Sequence, residues 1–449
     1  MSEENSYSIS RLNVTGLFGR FNHKIEFDKD QNITIITAPN GYGKTVLLRI
    51  IDSVFNFRLN YFWKIEFESI EITLDTKQSI NIYKDRTSEE DSSTLKPIFI
   101  KAPGFGSEDD IYKLPSMSNP MFRRYLERYL PVERIGRDQW YDNNSNRLLS
   151  TSSLIEIYVD QLPEHLFRSF EFPEWLKEAF SSVDIHLVKV ERLLVFDDQE
   201  NIATRSSLSR QKLHSVVQKD AKHLSRKIRN LIQEYAKKSQ MLDQTFPKRI
   251  IDEMDLNHKP INEAKIKLEL DELEKNRSQL KSVGLLDKTQ SDSFRPKQFF
   301  QEERVRKILE IYIEDMKKKL GIFDEMYEKI RLFKQIITDL FYFKAIEFDK
   351  DTGFYFMDSE ISNEIPLSDL SSGEQHELVV IYDLLFKAGM GAMILIDEPE
   401  LSLHVAWQRR FISDLQKIQK LTKIKALIVT HSPQIIHDRW DLVQDLANR

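Results

Sequence analysis

Lys44 and Thr45, arriving directly behind Gly41 and Gly43, are the residues with the most chemistry to offer. In the run Ala38-Pro39-Asn40-Gly41-Tyr42-Gly43-Lys44-Thr45 the glycines let successive backbone N–H groups turn toward one anionic spot. Lys44 then brings a cation to the β- and γ-phosphates of a nucleoside triphosphate, and the Thr45 hydroxyl is set to ligate Mg²⁺. Asn40, Gly41, Tyr42, Gly43, Lys44 and Thr45 are therefore the candidate ATP-binding residues. One position departs from the pattern G-x-x-x-x-G-K-[ST]: Ala38 stands where the first glycine is expected.

A second group of candidates lies near the other end. Leu370-Ser371-Ser372-Gly373-Glu374-Gln375 is followed by Gly391-Ala-Met-Ile-Leu-Ile-Asp397-Glu398-Pro399, and then by Ala426-Leu-Ile-Val-Thr430-His431-Ser432. The apolar run ending at Asp397 reads as a buried parallel strand that delivers this carboxylate to a Mg²⁺ shell. Glu398 beside it is placed to orient or deprotonate an attacking water, and His431 follows a second such strand, positioned to touch the γ-phosphate. Taken singly, Asp397-Glu398-Pro399 could be an acidic strand exit and His431 a hydrogen-bonded strand-end histidine. Their order, each at the end of an apolar run, favours phosphoryl transfer.

Elements must hold these groups in place, and the hydrophobic pattern supplies them. Strands are expected at Ser8 to Val14, Phe21 to Phe27, Ile33 to Thr37, Ile65 to Leu74 and Ser79 to Tyr83, with a helix from Lys44 to Phe55. His186 to Val190 reads as a further strand. From about residue 205 the period changes: Leu213, Val217, Ala221, Leu224, Ile228, Leu231 and Tyr235 step by three and four, and Val305 to Ile337 carries a second such seam. Two long helices with breaks at Phe246–Asn257 and Asp287–Lys297 are the expectation. A helix of about 35 residues spans only about 50 Å, so such an arm is a short lever. Phe341 to Phe356 reads as a strand pair around the turn-rich Asp349–Gly353.

This order of motifs resembles the ABC-type ATPase heads of the SMC and RecF group, and the small bacterial ATPases of OLD type. The likeness rests on residues of about 10–60 and 345–440. It implies an α/β fold, a mixed-sheet P-loop ATPase head interrupted by a helical, coiled-coil-like insertion. Residues 1–200 would form the first lobe, 201–344 the insertion and 345–449 the second lobe. It further implies that Ser371, Ser372, Gly373 and Glu374 form a signature acting in trans on the ATP of a facing subunit, so that the heads pair as a homo-oligomer. A strand-end arginine near the nucleotide corresponds to Arg192. Glu398 and His431 are then the catalytic residues, Thr45 and Asp397 the metal ligands, and ATP and Mg²⁺ the cofactors.

Within this group the start Gly16-Leu-Phe-Gly-Arg-Phe-Asn-His-Lys-Ile-Glu-Phe27, the loop, the signature and the short insertion resemble the AriA-type ATPases of PARIS anti-phage systems. Retron and Septu-type ATPases share these features. The resemblance implies a homo-oligomer, a hexamer among the possible assemblies, that holds a Toprim-family nuclease inactive until a phage anti-restriction protein arrives. Eighteen residues follow His431, which leads to the expectation of a nuclease on a separate polypeptide.

Composition narrows the classes. The 449 residues contain no cysteine, which excludes disulfides, thiolate zinc and a cysteine nucleophile. No run of eighteen apolar residues occurs and the start lacks a leader pattern, so the expectation is a cytoplasmic chain without membrane contact. A net charge of −6 argues against whole-surface nucleic-acid binding. DNA stays as a less favoured partner because Lys219, Lys222, His223, Arg226, Lys227 and Arg229 cluster in one expected helix, with a plain solvated helix face as the simpler account.

Overall fold

The computed structural model describes residues 7–27, 31–84, 96–107, 109–114, 126–128, 130–136, 139–158, 171–188, 194–195, 214–255, 262–287, 302–401 and 403–447. In chain order the elements are β1 (Ile9–Leu17), β2 (Phe21–Glu26), β3 (Ile33–Thr37), α1 (Lys44–Phe55), β4 (Ser69–Leu74), β5 (Ser79–Lys84), β6 (Ile98–Lys101) and β7 (Tyr112–Lys113). Next come β8 (Val132–Arg134), β9 (Gln139–Asp142), β10 (Arg147–Ser150), β11 (Ile185–Val188), β12 (Leu194–Val195) and β13 (His214–Ser215). Four helices follow, α2 (Val216–Asp255), α3 (Glu263–Ser282), α4 (Glu303–Leu320) and α5 (Asp324–Leu340). The chain continues through β14 (Lys344–Asp349), β15 (Gly353–Asp358), β16 (Glu364–Ile365), α6 (Ser372–Tyr382), a π-turn (Asp383–Lys387), β17 (Met393–Asp397), β18 (Lys425–Val429) and β19 (Val443–Asp445).

Two compact units result. The first is Met1–Lys189, Ala388–Leu415 and Thr422–Arg449, and the second is Val190–Lys387 and Gln416–Leu421. The first unit holds a parallel sheet in the order β11-β17-β18-β3-β19. Its central strands are apolar on both faces: Ile35, Ile36, Ile394, Leu395, Ile396, Leu427, Ile428 and Val429 are all fully buried, as a sheet covered on two sides requires. The helix α1 buries Leu47, Leu48, Ile50, Ile51 and Val54, the three-and-four spacing of one apolar face. An antiparallel sheet, β2-β1-β4-β5-β6-β7, adds the alternation expected of half-buried strands, with Ile70, Ile72 and Leu74 inward and Ser69 and Glu71 outward. This is the mixed α/β head with a helical insertion that the residue pattern implied. A three-stranded sheet, β10-β9-β8, also forms.

The second unit differs from expectation in three ways. Among its described residues the insertion has four helices, because the seam from Val305 to Ile337 is broken by a 3-10 turn at Gly321–Phe323 and Glu263–Ser282 forms a helix of its own. The helix α2 continues through Pro247 and ends only at Asp255, near the far end of the expected break at Phe246–Asn257. Proline removes one ladder hydrogen bond and crowds the preceding turn. Here tertiary contacts on both sides hold the turn: Lys319 Nζ pairs with Asp243 at 2.7 Å, and Arg249 makes a two-pronged pair with the buried Asp315 of α4 while donating to the Leu242 carbonyl. Third, the hairpin β14–β15 and helix α6 group with the insertion helices instead of the 345–449 lobe, because both pack on α2.

The hairpin sits against the α2 backbone so tightly that Gly353, at φ 84°, has no room for a side chain: an added Cβ would overlap the Ala221 carbonyl. Gly353→Ala is expected to cost more than about 3 kcal/mol, through both the clash and the left-handed backbone, read as a lower urea midpoint.

Asp220 of α2 is buried beside Lys387, Asp383 and Tyr382, and burial pushes its carboxyl up to about 7, opposed by Lys387 and reinforced by Asp383. A folded-state value above the ordinary 3.8 means that the proton is held more tightly in the folded chain. Its stabilising contribution is complete below about pH 4 and is lost as pH rises through about 7. Thermal midpoints measured from pH 5 to 8 should fall more steeply in the parent than in Asp220→Asn. Among the described residues no helix is long and apolar enough to cross a membrane.

Candidate functional site

The C-terminal ends of β3, β17 and β18 are in register, with Asp397 opposite Val429 and Val429 opposite Ile36. In an open parallel sheet this edge is where ligands bind. Two of the three expected groups meet there.

The first is the loop between β3 and α1. Gly41 and Gly43 have φ of 87° and 82°, backbone that residues with a Cβ rarely adopt. At Gly41 nothing lies within 4 Å of an added Cβ, so conformation alone asks for glycine; at Gly43 the Cβ would also meet Leu17 Cδ2 at 2.7 Å. Ala38 keeps an ordinary φ and is buried, which explains why this position tolerates the loss of the expected glycine. Gly43 is the N-cap of α1 and contributes no side-chain cap, and no acidic residue occupies the first turn. The leading N–H groups and the positive end of the helix dipole are thus left for an anion. Tyr42 anchors the loop rather than crowning it: its ring lies 4.9 Å from that of Phe21, and its carbonyl is 2.8 Å from His23 Nε2. Asn40 is exposed on the loop.

Lys44 is buried against its own loop, donating to the Ala38 carbonyl at 2.8 Å and the Pro39 carbonyl at 3.3 Å, with His431 Nε2 as a third, close partner. The same nitrogen lies 3.8 Å from Glu398 Oε1. Burial lowers the Lys44 pKa, countered by the charges of Glu398, Asp397 and Glu400.

The second group is the acidic pair. Asp397 Oδ1 accepts from the Thr45 hydroxyl at 3.2 Å. Burial raises the Asp397 pKa and Glu398 adds to this, while the Thr45 hydrogen bond and the charges of Arg49 and Lys44 pull it down. A carboxylate so placed gains from a bound cation. Glu398 sits at φ 43°, a left-handed conformation that costs a side-chain-bearing residue about 1–3 kcal/mol. Its N–H is held by the Val429 carbonyl at 2.8 Å, so the strained residue is fixed at the strand exit.

Glu400 was missed as a functional residue. Its Oε1 accepts from the His431 N–H and its Oε2 from the Thr430 hydroxyl, both at 2.8 Å, so this one carboxylate ties the loop after β17 to the histidine after β18. Gln408 extends the link, donating to the Glu400 and Leu403 carbonyls and accepting from Ser432. The available sign was a third acid, Glu400, three positions beyond the end of β17, where one acid suffices for a base. Glu400→Gln keeps shape but turns one acceptor into a donor aimed at a donor; turnover is expected to fall about tenfold with ATP affinity little changed, as read from steady-state kinetics.

The third expected group, the signature, belongs to the second unit. Ser371 is the N-cap of α6: its hydroxyl accepts from the Glu374 N–H at 3.3 Å while Glu374 accepts from the Ser371 N–H at 2.8 Å, a capping box. Lys344 of β14 fixes Glu374 by 2.7 Å contacts to both carboxylate oxygens. Ser372 and Gly373 begin the helix, and an added Cβ at Gly373 would meet nothing within 4 Å. Arg192 lies outside the described residues.

Retron Ec83 probable ATPase of Escherichia coli is 36% identical over 89 residues, which is 17% of this chain and only 16% of that protein. Among solved structures, the Smc head domain with an extended coiled coil bound to the C-terminal domain of ScpA, derived from Pyrococcus furiosus, aligns over 96% of this chain and 91% of its own, with 13% identity and a TM-score of 0.33. The SmcHead bound to the C-winged helix domain of ScpA aligns over 95% and 91%, with 10% identity and a TM-score of 0.32. The AAA ATPase domain family matches residues 8–436, nearly the whole length. With that span, the chain belongs to the AAA ATPase domain family and is an ATPase.

Proposed function

We propose that this ATPase is the ATP-gated sensor and scaffold of an anti-phage defence complex, in the manner of AriA-type subunits of PARIS systems. Its heads pair into a homo-oligomer, a hexamer in the fullest form, that holds a separate Toprim-family nuclease inactive and releases it when a phage anti-restriction protein is sensed. The observation that carries the nucleotide part is the convergence of Lys44, Thr45, Asp397, Glu398 and His431 at one sheet edge. The likeness to a retron ATPase supports the defence setting.

The residues account for the chemistry as follows. The loop N–H groups from Asn40 to Thr45 receive the phosphates, and Lys44 exchanges its contacts with Ala38 and Pro39 for phosphate oxygens. Thr45 and Asp397 present hydroxyl and carboxylate oxygens side by side, a hard donor pair that suits Mg²⁺, an ion that takes one or two protein oxygens and fills its shell with phosphate and water. Once bound, that ion would neutralise charge on the phosphates. Glu398 orients and deprotonates the water, and His431, held through its backbone N–H by Glu400, meets the terminal phosphate. Ser371, Ser372 and Gly373 of a facing copy close the site, with Glu374 capping their helix. Gly373, open in its own chain, leaves room for that approach. Differential affinity of the paired heads for ATP and ADP would bias the assembly between closed and open.

The reading is tested by purifying tagged Glu398→Gln protein from its native host in ATP and identifying what accompanies it. A Toprim-type nuclease in stoichiometric amount supports the scaffold; DNA without such a protein overturns it in favour of a RecF- or SMC-like clamp. The helix stripe is a weaker DNA site than its composition suggested: His223 is engaged with Tyr382, Lys227 with the Phe386 carbonyl, and Arg229 with the Lys350 and Asp351 carbonyls.

A further inference from the structure

The three residues Asp220, His223 and Lys227 share one face of α2, at positions i, i+3 and i+7. Each grips the end of the signature helix. Asp220 Oδ1 pairs with Lys387 Nζ at 2.7 Å, and the same ammonium reaches Asp383 at 2.6 Å. His223 Nδ1 is 2.8 Å from the Tyr382 hydroxyl, and Lys227 donates to the Phe386 carbonyl. The segment gripped, Asp383–Lys387, is a π-turn, a one-turn widening that helices rarely tolerate without a local reason. Asp220, Tyr382, Asp383 and Phe386 are buried, while their partners His223, Lys227 and Lys387 keep some contact with solvent.

The same helix holds the other end of α6 through the hairpin. Ser225 of α2 donates to the Lys350 and Asp351 carbonyls at the β14–β15 turn. At the opposite end of β14, Lys344 holds Glu374 in the cap of the signature. Both ends of α6 are therefore tied to one helix.

We propose that Asp220, His223 and Lys227 are positioning residues for ATP hydrolysis: they set α6 in register through its π-turn, so that Ser371 is presented correctly to the ATP of a facing copy. This rests on the reading of the signature as acting in trans. The clasp touches neither nucleotide nor the phosphate loop, so it governs turnover and not binding. A shift of α2 moves the signature with it.

The test uses the full-length protein. In Lys227→Met, kcat should fall at least tenfold while the Kd for a fluorescent ATP analogue stays within about twofold, and Lys227→Arg should restore most of the rate. Should Lys227→Met not fold, His223→Phe, which removes the hydrogen bond to Tyr382, carries the same expectation. Parental kcat in the folded variant, or a parallel loss of ATP affinity, overturns the proposal. Ser371→Arg separates the two ideas: if it hydrolyses ATP at the parental rate, the signature reading fails; if it is inactive while Lys227→Met is at the parental rate, only the clasp fails.

Discussion

Glu398→Gln protein should bind ATP with parental affinity and hydrolyse it about 10²–10⁴-fold more slowly, the range expected when a positioned general base is removed. The substitution keeps the length and volume of the side chain, and the backbone constraint at φ 43° does not depend on the carboxylate. It removes only the basic oxygen. Single-turnover hydrolysis together with equilibrium binding reads both halves of the expectation, and parental hydrolysis would transfer the role of base to another residue. Glu400 is the nearest alternative, but both its oxygens are taken up by Thr430 and His431, which leaves Glu398 the freer acceptor.

Lys44→Ala should abolish measurable ATP binding. A charge-assisted hydrogen bond contributes about 1.5–3 kcal/mol, and an ammonium serving two phosphates makes two, so the Kd should rise by about 10²-fold or more. Isothermal titration with Mg²⁺ and ATP measures it, and a Kd within tenfold of the parent would remove Lys44 from the phosphate site. The fold should survive, since the carbonyls of Ala38 and Pro39 that Lys44 now satisfies lie in a loop open to water at Asn40 and Gly41.

The phosphate loop was legible because its demands are local. A glycine pair before Lys-Thr, a buried strand behind it and an apolar helix face ahead of it fix the α1 start at Lys44 and the β3 limits at Ile33 and Thr37. The strands that carry Asp397 and His431 were legible for the same reason: short apolar runs ending in polar chemistry. Pro247 misled because a helix break is a local rule, whereas the Asp315 and Lys319 contacts that hold the helix come from a segment far along the chain. The basic stripe misled similarly. A lysine's role depends on what faces it, and nothing near Lys227 in sequence announces the Phe386 carbonyl. Glu400 stayed hidden because its partners are a backbone N–H and a threonine hydroxyl, groups that leave no pattern of charges to read. The grouping of Lys344–Lys387 with the insertion was equally invisible, since hairpin and signature look alike in sequence whichever body they pack on.

The strand that bears the phosphate loop has an unusual position in the order of synthesis. Its two neighbours in the parallel sheet are β18, where Ala426 pairs with Ile33, and β19, where Val443 pairs with Ile35. Neither exists until the ribosome has nearly reached that stretch of the message. Until then β3 has both rows of backbone donors and acceptors open and three isoleucines, Ile33, Ile35 and Ile36, with no sheet to enter, the kind of segment that self-associates. Closing so long a loop is slow, and high contact order makes the nucleotide site among the last parts of the head to be completed. Nascent chains released early would carry the whole loop from Ala38 to Thr45 and yet have no site, so a protease or chaperone meeting them sees an exposed strand, never a half-working ATPase.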